Sequence, residues 1–329
     1  MKYLLVVLLG VYCFFNMNAT RASALERDDV RTFIKAMANK HGFSTAELNK
    51  VFQSVVFSDT VIEAISRPAE TLPWYKYRPL FLESARIRMG VEFWRKNRAV
   101  LAKAEEQYGV PAEIMVAILG VESRYGNIKG KYAVINSLST LAFDYPKRSA
   151  FFLAELEQYL LLTREQGFDP LMLKGSYAGA MGIPQFVSSS YRSFAVDFNG
   201  DGLIDIWDNP VDAIGSVGNY FKQYGWQTGA MIAEPAMVKG DKYKELVSEE
   251  LKPVHSLTEL NQYDVTVKTH LAPTTMARLL VLENSNNNEF WLGFDNFYVI
   301  SRYNHSALYS MAVFQLSREI KSRYRTDSH

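Results

Sequence analysis

From Leu25 to Pro73 the apolar residues recur at helical spacing. Val30, Phe33, Ile34 and Met37 follow Asp28 and Asp29, and Ser44-Thr45-Ala46-Glu47 has the form of a capped helix start. Trp74 to Tyr77 is an aromatic connection ending at Arg78-Pro79. A helical region rich in Arg, Lys and Glu spans Glu83 to Tyr108, and Pro111 opens the next helix in its first turn, where a missing N–H is tolerated. Phe152, Leu153, Leu156, Leu160 and Thr163 predict a helix over Ser149–Gln166, and a further one runs from Asp212 to Tyr224 before Gly225. After Gly229 the period changes. Ala236-Met237-Val238, Asp264–Val267 and Leu279–Leu282 are short, β-prone and separated by polar turns. Phe290 to Tyr303 continues in that manner, and Leu308–Ile320 returns to helix. The pattern predicts a mainly α (α+β) chain. Its expected parts are an N-terminal helical region at 25–74, a helical core at 75–228, a β-rich insertion at 229–290, a return to the core at 291–322 and a tail at 323–329.

The first residues carry a different signal. Met1-Lys2, the apolar run Tyr3–Phe15 and Ala22-Ser23-Ala24 form a secretory signal peptide over 1–24, with an apolar core too short to be a permanent transmembrane helix. The single cysteine, Cys13, lies in that run behind Tyr12, where a lipid-attachment signal requires a small residue. The expectation is an exported protein without a lipid anchor. A net charge of +1 argues against nucleic acid as a partner.

Three segments carry candidate chemistry. Met115, Ile118 and Leu119 share a helix face with Glu122, in Val121-Glu122-Ser123-Arg124-Tyr125-Gly126. A carboxyl among apolar neighbours holds its proton to higher pH and can act as a general acid. The alternative is a glutamate paired with Arg124 or Arg148. The second segment, Lys174–Gly182, is rich in glycine and alanine and lets backbone approach something closely, either a polymer in a groove or a neighbouring helix. Gln185 follows it. The third, Asp197–Asp208, matches the twelve-residue EF-hand calcium loop: Asp197, Asn199, Asp201, Asp205 and Asp208 supply side-chain oxygens, Leu203 supplies its carbonyl, and Gly202 makes the bend. Asp208 stands where glutamate is usual. One such loop alone reads as a structural calcium staple.

Together with Arg302-Tyr303-Asn304-His305-Ser306, these segments resemble, in the right order and over about 30–320, the lytic murein transglycosylase B family. The resemblance implies a lysozyme-like catalytic core with a single EF-hand-like loop, in the periplasm. It also implies cleavage of the β-1,4 bond between N-acetylmuramic acid and N-acetylglucosamine of peptidoglycan glycan strands, leaving 1,6-anhydro ends. Glu122 matches the family's single catalytic acid. Ser176, Gln185, Tyr220, Tyr303, Asn304 and Tyr309, with Tyr77 and Arg148, fall on positions that line its cleft. Lys147 and Phe151 depart from the arginine and tyrosine expected there. The competing readings are a muramidase that hydrolyses the same bond and a non-catalytic, calcium-stabilised peptidoglycan-binding protein. No second acid stands out: Asp144 reads as a turn residue, and Glu155 and Glu157 as solvated helix charge.

Overall fold

The computed structural model describes residues 23–67 and 72–326; the apolar run Tyr3–Phe15 and Cys13 lie outside them. The chain divides into two compact units, meeting in sequence at Val55–Val56. The first holds α1 (Asp28–His41) and α2 (Thr45–Gln53). Val30, Phe33, Ile34 and Met37 of α1 are buried with Leu48 and Phe52 of α2, and the rings of Phe33 and Phe52 meet edge to face at 5.9 Å. Ser44 caps α2 by accepting from Glu47 N.

The second unit is mainly helical, with a two-stranded pairing and a five-stranded sheet. It opens with α3 (Asp59–Ile65), the single turn α4 (Trp74–Tyr77), α5 (Ser84–Lys96) and α6 (Arg98–Tyr108). The expected continuous helix from Glu83 to Tyr108 breaks at Asn97, whose side-chain amide donates to the Phe93 carbonyl. α7 (Ala112–Ser123) is apolar around its whole circumference, with Ile114 through Leu119 no more than 1% exposed, as befits a helix enclosed on every side. α5, α6, α11 (Pro210–Gln223) and α14 (Ala307–Thr326) all pack on it.

α8 (Val134–Asp144) and α9 (Ser149–Gln166) form a packed pair, with α10 (Ser188–Phe194) against α9. Glu155 is not solvated charge as its helical position suggested. It is 5% exposed and accepts from the Ser189 backbone N (2.9 Å) and hydroxyl (2.6 Å), so it caps the start of α10.

The glycine-rich segment is used for internal close approach. The two-residue strands β1 (Tyr132–Ala133) and β2 (Lys174–Gly175) pair here, and a Cβ on Gly175 would stand 2.3 Å from the Ala180 carbonyl oxygen.

The sheet comprises β3 (Ala233–Val238), β4 (His255–Ser256), β5 (Val265–Val267), β6 (Met276–Glu283) and β7 (Asn288–Gly293), with α12 (Leu257–Gln262) between β4 and β5. Its order is β4-β6-β7-β3-β5, every pair antiparallel. β3 pairs with β7 through Pro235 and with β5 from Ala236, so the proline, which has no N–H to give, sits where the strand changes partner. Leu280 and Leu282 of β6 enter one apolar cluster with Trp74, Tyr77, Trp291, Met311 and Phe314, while Ala277 and Leu279 enter another with Leu260, Val265 and Leu292. Both faces are covered, which explains why β6 reads as a nearly unbroken apolar run. The strand-like reading of Phe290–Tyr303 holds only to Gly293: Phe294 leads into α13 (Asp295–Ser301), where Phe297, Val299 and Ile300 are buried at helical spacing.

One contact fixes where α7 ends. The Tyr125 hydroxyl donates to the Arg86 carbonyl at 2.9 Å, and added Cβ atoms on Gly90 (α5) and Gly120 (α7) would each lie 2.5 Å from that oxygen. Gly120→Ala therefore forces the phenol out of its slot. Helix propensity alone would favour alanine by about 1 kcal/mol, yet overpacking should dominate and cost about 1–3 kcal/mol. The expected result is a lowered urea midpoint; an unchanged or raised midpoint would show that Tyr125 relocates freely.

Candidate active site

α7 delivers Glu122 to the wall of a pocket of about 410 Å³. The pocket is lined by Ile65, Tyr77, Leu80, Phe81, Val121, Glu122, Arg148, Tyr177, Asn304 and Tyr309. Glu122 is the one carboxylate in that lining. Its Oε1 accepts from the Tyr309 hydroxyl at 2.5 Å. Neither arginine considered for it is its partner: Arg124 pairs with Glu83, and Arg148 lies over the Phe151 ring at 4.4 Å. Burial pushes the Glu122 carboxyl from its ordinary 4.5 up to about 7, and the Tyr309 hydrogen bond pulls weakly the other way. The Tyr309 phenol is itself held well above its ordinary range, first by burial and then by the neighbouring Glu122 charge, so it remains a donor.

The helix end is held from three sides. Arg86, a buried cation, donates to the carbonyls of Gly120 (2.7 Å) and Leu80 (3.1 Å) and stacks over Phe81, so the last turn of α7 and the Leu80–Phe81 lip move together. Arg124 and Tyr125 then turn the chain through the left-handed region at φ 49° and 62°. Ser123 accepts from Gly126 N and donates to the Ile183 carbonyl at 2.6 Å, tying α7 to the 182–186 turn.

The sequence-expected residues fall into two groups. Tyr77, Arg148, Asn304 and Tyr309 line the pocket with Glu122. Ser176, Gln185, Tyr220 and Tyr303 are not in that lining, and their side chains make internal bonds. Ser176 Oγ accepts from the amides of Ala178 and Ala180. Gln185, at φ 51°, donates to the carbonyls of Gly182 and Lys129. The Tyr220 hydroxyl donates to the Arg302 carbonyl and that of Tyr303 to the Pro184 carbonyl, their rings 4.8 Å apart. Ile65, Leu80, Phe81, Val121 and Tyr177 were not singled out in the sequence. They are ordinary apolar or aromatic residues whose meaning comes from distant packing; Tyr177, beside Ser176, is the one whose position offered a signal.

The acidic loop lies behind this wall. Asp197 accepts from the amides of Gly200, Asp201 and Gly202, which hold its carboxyl below the usual range, and Gly202 sits at φ 91°, where a side chain would be strained. Asp212, fully buried, accepts from Phe198, Asn199 and Asp205 N and so ties both halves of the loop to α11. The donor set Asp197, Asn199, Asp201, Leu203, Asp205 and Asp208 is all oxygen and fits a hard cation such as calcium. Asn199 and Asp201 already meet at 2.7 Å, while Asp208 is turned onto Lys129 at 2.5 Å. Among the described residues no three acidic, His or Cys side chains converge as a ready cage. The far side of the loop reaches the site, because Ile183 N donates to the Ile206 carbonyl at 2.8 Å.

The raised Glu122 pKa has a stability consequence. The fold favours the protonated form, so the penalty for ionising it is absent below pH 4.5, grows between 4.5 and about 7, and is complete above that. Glu122→Gln, which stays neutral, should therefore melt higher than the parent at pH 8 and equally at pH 4. Since Glu122 keeps partial exposure, the gain should be on the order of 1–3 kcal/mol. Equal melting temperatures at both pH values would show that the carboxyl is not desolvated.

Comparison with known proteins agrees with this geometry. The family model for the transglycosylase SLT domain matches residues 26–318. The membrane-bound lytic murein transglycosylase B of Escherichia coli is 40% identical over 308 residues, covering 89% of this chain and 82% of that protein. Three solved structures superpose closely. The catenated lytic transglycosylase SltB1 of Pseudomonas aeruginosa has a TM-score of 0.87 and 46% identity, covering 91% of this chain and 98% of that one. The E. coli lytic transglycosylase SLT35 in complex with calcium has 0.82 and 41%, covering 89% and 93%. P. aeruginosa SltB3 in complex with NAG-anhNAM-pentapeptide has 0.79 and 31%, covering 91% and 80%. With the SLT-domain match over 26–318 and these close relatives, the chain belongs to the lytic murein transglycosylases, enzymes that cleave peptidoglycan.

Proposed function

We propose that this chain cleaves the β-1,4 bond between N-acetylmuramic acid and N-acetylglucosamine and closes a 1,6-anhydro ring, with Glu122 acting as acid and then as base. The observation that carries this reading is that Glu122, protonated to about pH 7, is the only carboxylate among the described residues that line its pocket. Most glycosidases that use water or a covalent intermediate pair two carboxylates. Here the proton passes from Glu122 to the glycosidic oxygen as the C1–O bond breaks, and the N-acetylglucosamine side leaves with a new hydroxyl. The muramic acetamido carbonyl supports the positive charge at C1, and Ser176 or Asn304 holds that group; that Asn304 lines the pocket supports the second. The 6-hydroxyl oxygen then bonds to C1, and its proton returns to Glu122. No water is consumed, and the enzyme regains its starting state. Ile65, Leu80, Phe81 and Val121 give the pocket apolar walls that favour this internal closure over hydrolysis. Tyr77, Arg148 and Tyr309 contact the glycan, while Ser176, Gln185, Tyr220 and Tyr303 support that wall from behind.

The substrate lies outside the cytoplasmic membrane, which agrees with reading 1–24 as a signal peptide and the mature enzyme as periplasmic. Among the described residues no helix is long and apolar enough to cross a membrane.

Digestion of murein sacculi followed by mass spectrometry should give muropeptides one water lighter than reducing-end products. Glu122→Gln should retain glycan binding and lose turnover by at least about 10³-fold, on the scale of removing a catalytic group. Reducing-end products would convert the reading to a muramidase, and normal turnover in the variant would remove Glu122 from the chemistry.

The acidic loop we assign to structural calcium. The ion would sit among Asp197, Asn199, Asp201, the Leu203 carbonyl, Asp205 and Asp208, and would hold the loop that backs Ile183 without joining the reaction. Calcium should raise the melting temperature, by about 2.7 kcal/mol of stability at a hundredfold excess over the dissociation constant. Asp201→Ala should abolish both that shift and terbium luminescence. A calcium-independent melt in the parent would leave the loop as an acidic turn held by Asp212.

A further inference from the structure

Arg86, in the first turn of α5, is a buried cation that no carboxylate meets among the described residues. It is 8% exposed, and Glu83, three residues before it, pairs with Arg124 instead. Its Nε is buried without a hydrogen-bond partner among the described residues. A buried charge without a counter-ion is costly, and an apolar side chain of similar length would fill the same space with a smaller penalty. The charge therefore calls for a role.

The guanidinium holds two carbonyls. Nη1 donates to Gly120 at 2.7 Å and Nη2 to Leu80 at 3.1 Å. The first of these is a carbonyl that α7 leaves at its end. In a continuing helix Arg124 N would serve it, but the amides of Arg124 and Tyr125 both turn to the Leu119 carbonyl. A cation there also suits the negative end of the helix dipole. The second carbonyl belongs to the opposite side of the pocket, where Leu80 and Phe81 form the wall and the Phe81 ring lies 5.2 Å from the guanidinium carbon. The grip is reciprocal, because the Tyr125 hydroxyl, just past α7, donates to the Arg86 carbonyl at 2.9 Å. A guanidinium is a rigid planar fork that fixes its two acceptors relative to each other. A lysine ammonium is a single charge on a flexible stem and cannot do the same.

The two carbonyls border residues that meet the sugar. Val121 and Glu122 follow Gly120, while Leu80 and Phe81 face them across the same pocket. Once the glycosidic C1–O bond has broken, two nucleophiles compete for C1. Bonding of the 6-hydroxyl oxygen gives the anhydro ring, and bonding of a water oxygen gives a reducing end. Either route returns one proton to the Glu122 carboxylate. Resting on the proposed ring closure, we propose that Arg86 is a positioning residue for product choice: it locks the Leu80–Phe81 wall to the end of α7, and that lock keeps water away from C1. Loosening the lock admits water without removing any group that touches the glycan. The signature is a change of product and of kcat, with binding preserved.

The test compares the full-length parent with Arg86→Met, which keeps the length and removes the fork, and Arg86→Lys, which keeps the charge. Soluble glycan chains are digested in ¹⁸O-labelled water, and the products are weighed by mass spectrometry. The parent should give unlabelled anhydro ends. Arg86→Met should give labelled reducing ends in addition, with kcat lowered about 10–100-fold, the scale of a small misplacement at a reacting centre, and KM within about twofold. Arg86→Lys should fall between the two. Lys321→Met is the control: it removes the 2.5 Å bond to Glu113 at the other end of α7, and its products should stay anhydro whatever it does to the melting temperature. Exclusively anhydro products from Arg86→Met overturn the assignment. So do labelled reducing ends from Lys321→Met, which would mark general loosening of α7. If Arg86→Met does not fold, Arg86→Lys decides by the same products, and failure of both to fold makes Arg86 a residue of stability alone and overturns its role in product choice. Reducing ends from the parent itself would overturn the proposed function first, so the two failures are told apart.

Discussion

The desolvation of a single carboxyl sets the terms for everything around it. A glutamate surrounded by Met115, Ile118 and Leu119 on its own helix and by Ile65, Phe81 and Val121 at the pocket is costly to ionise. Burial therefore keeps it protonated to about pH 7, against the hydrogen bond it accepts from Tyr309. An arginine in that place would hold the group as a carboxylate and remove the acid. The two nearby arginines are instead drawn aside, Arg124 to Glu83 and Arg148 to the face of Phe151. Arg86, the cation closest to α7's last turn in bonding terms, spends its donors on backbone carbonyls. The charge arrangement is one of exclusion: positive groups stiffen the site and stay off the carboxyl.

A buried acid works only if its position is fixed, and two supports reach it from opposite directions. The first runs through one peptide unit. Ile183 N donates to the Ile206 carbonyl of the acidic loop, and the Ile183 carbonyl accepts from Ser123, next to Glu122. Order in the loop, fixed by Asp212, thus passes to the helix that carries Glu122. The second support is the sheet. Its Leu280, Leu282 and Trp291 pack with Trp74 and Tyr77 on one side and Met311 and Phe314 of α14 on the other, so the strands brace both the Tyr77 wall and the helix that carries Tyr309. The β-rich segment is part of the catalytic framework as much as an insertion into it.

Local signals in the sequence were enough for most elements. Ser149–Gln166 is the clearest case, since an unbroken 3.6-residue period and a following glycine specify α9 to the residue. Asp197–Asp208 stood out as a motif because its oxygen donors recur at fixed offsets, and calcium there is part of the proposal. Legibility failed where long-range packing decided the outcome. Glu155 looks like any exposed helical glutamate until α10 presents Ser189 to it. Asp212 reads as a first-turn acid, yet it is the anchor of the loop before it. The glycines of Lys174–Gly182 announced a close approach without saying to what, and the answer is neighbouring backbone. Ser176, Gln185, Tyr220 and Tyr303 were singled out by pattern; what no pattern showed is that their side chains make internal hydrogen bonds.

The same physics bears on why ring closure can outrun hydrolysis in such a site. In the proposed mechanism both outcomes begin with proton transfer from Glu122, and both then need a nucleophile at C1. A water molecule must be captured, oriented and held beside C1 before it can be deprotonated, and no second carboxylate among the described lining residues shares that task. The substrate's own 6-hydroxyl is already attached, and well-oriented intramolecular groups reach effective concentrations of roughly 10⁵–10⁸ M. Its proton leaves toward the Glu122 carboxylate, which has just become the strongest base lining the pocket because burial makes its charge expensive. The desolvation that makes Glu122 an acid in the first half-reaction makes it a base in the second, so one residue in one environment completes the cycle.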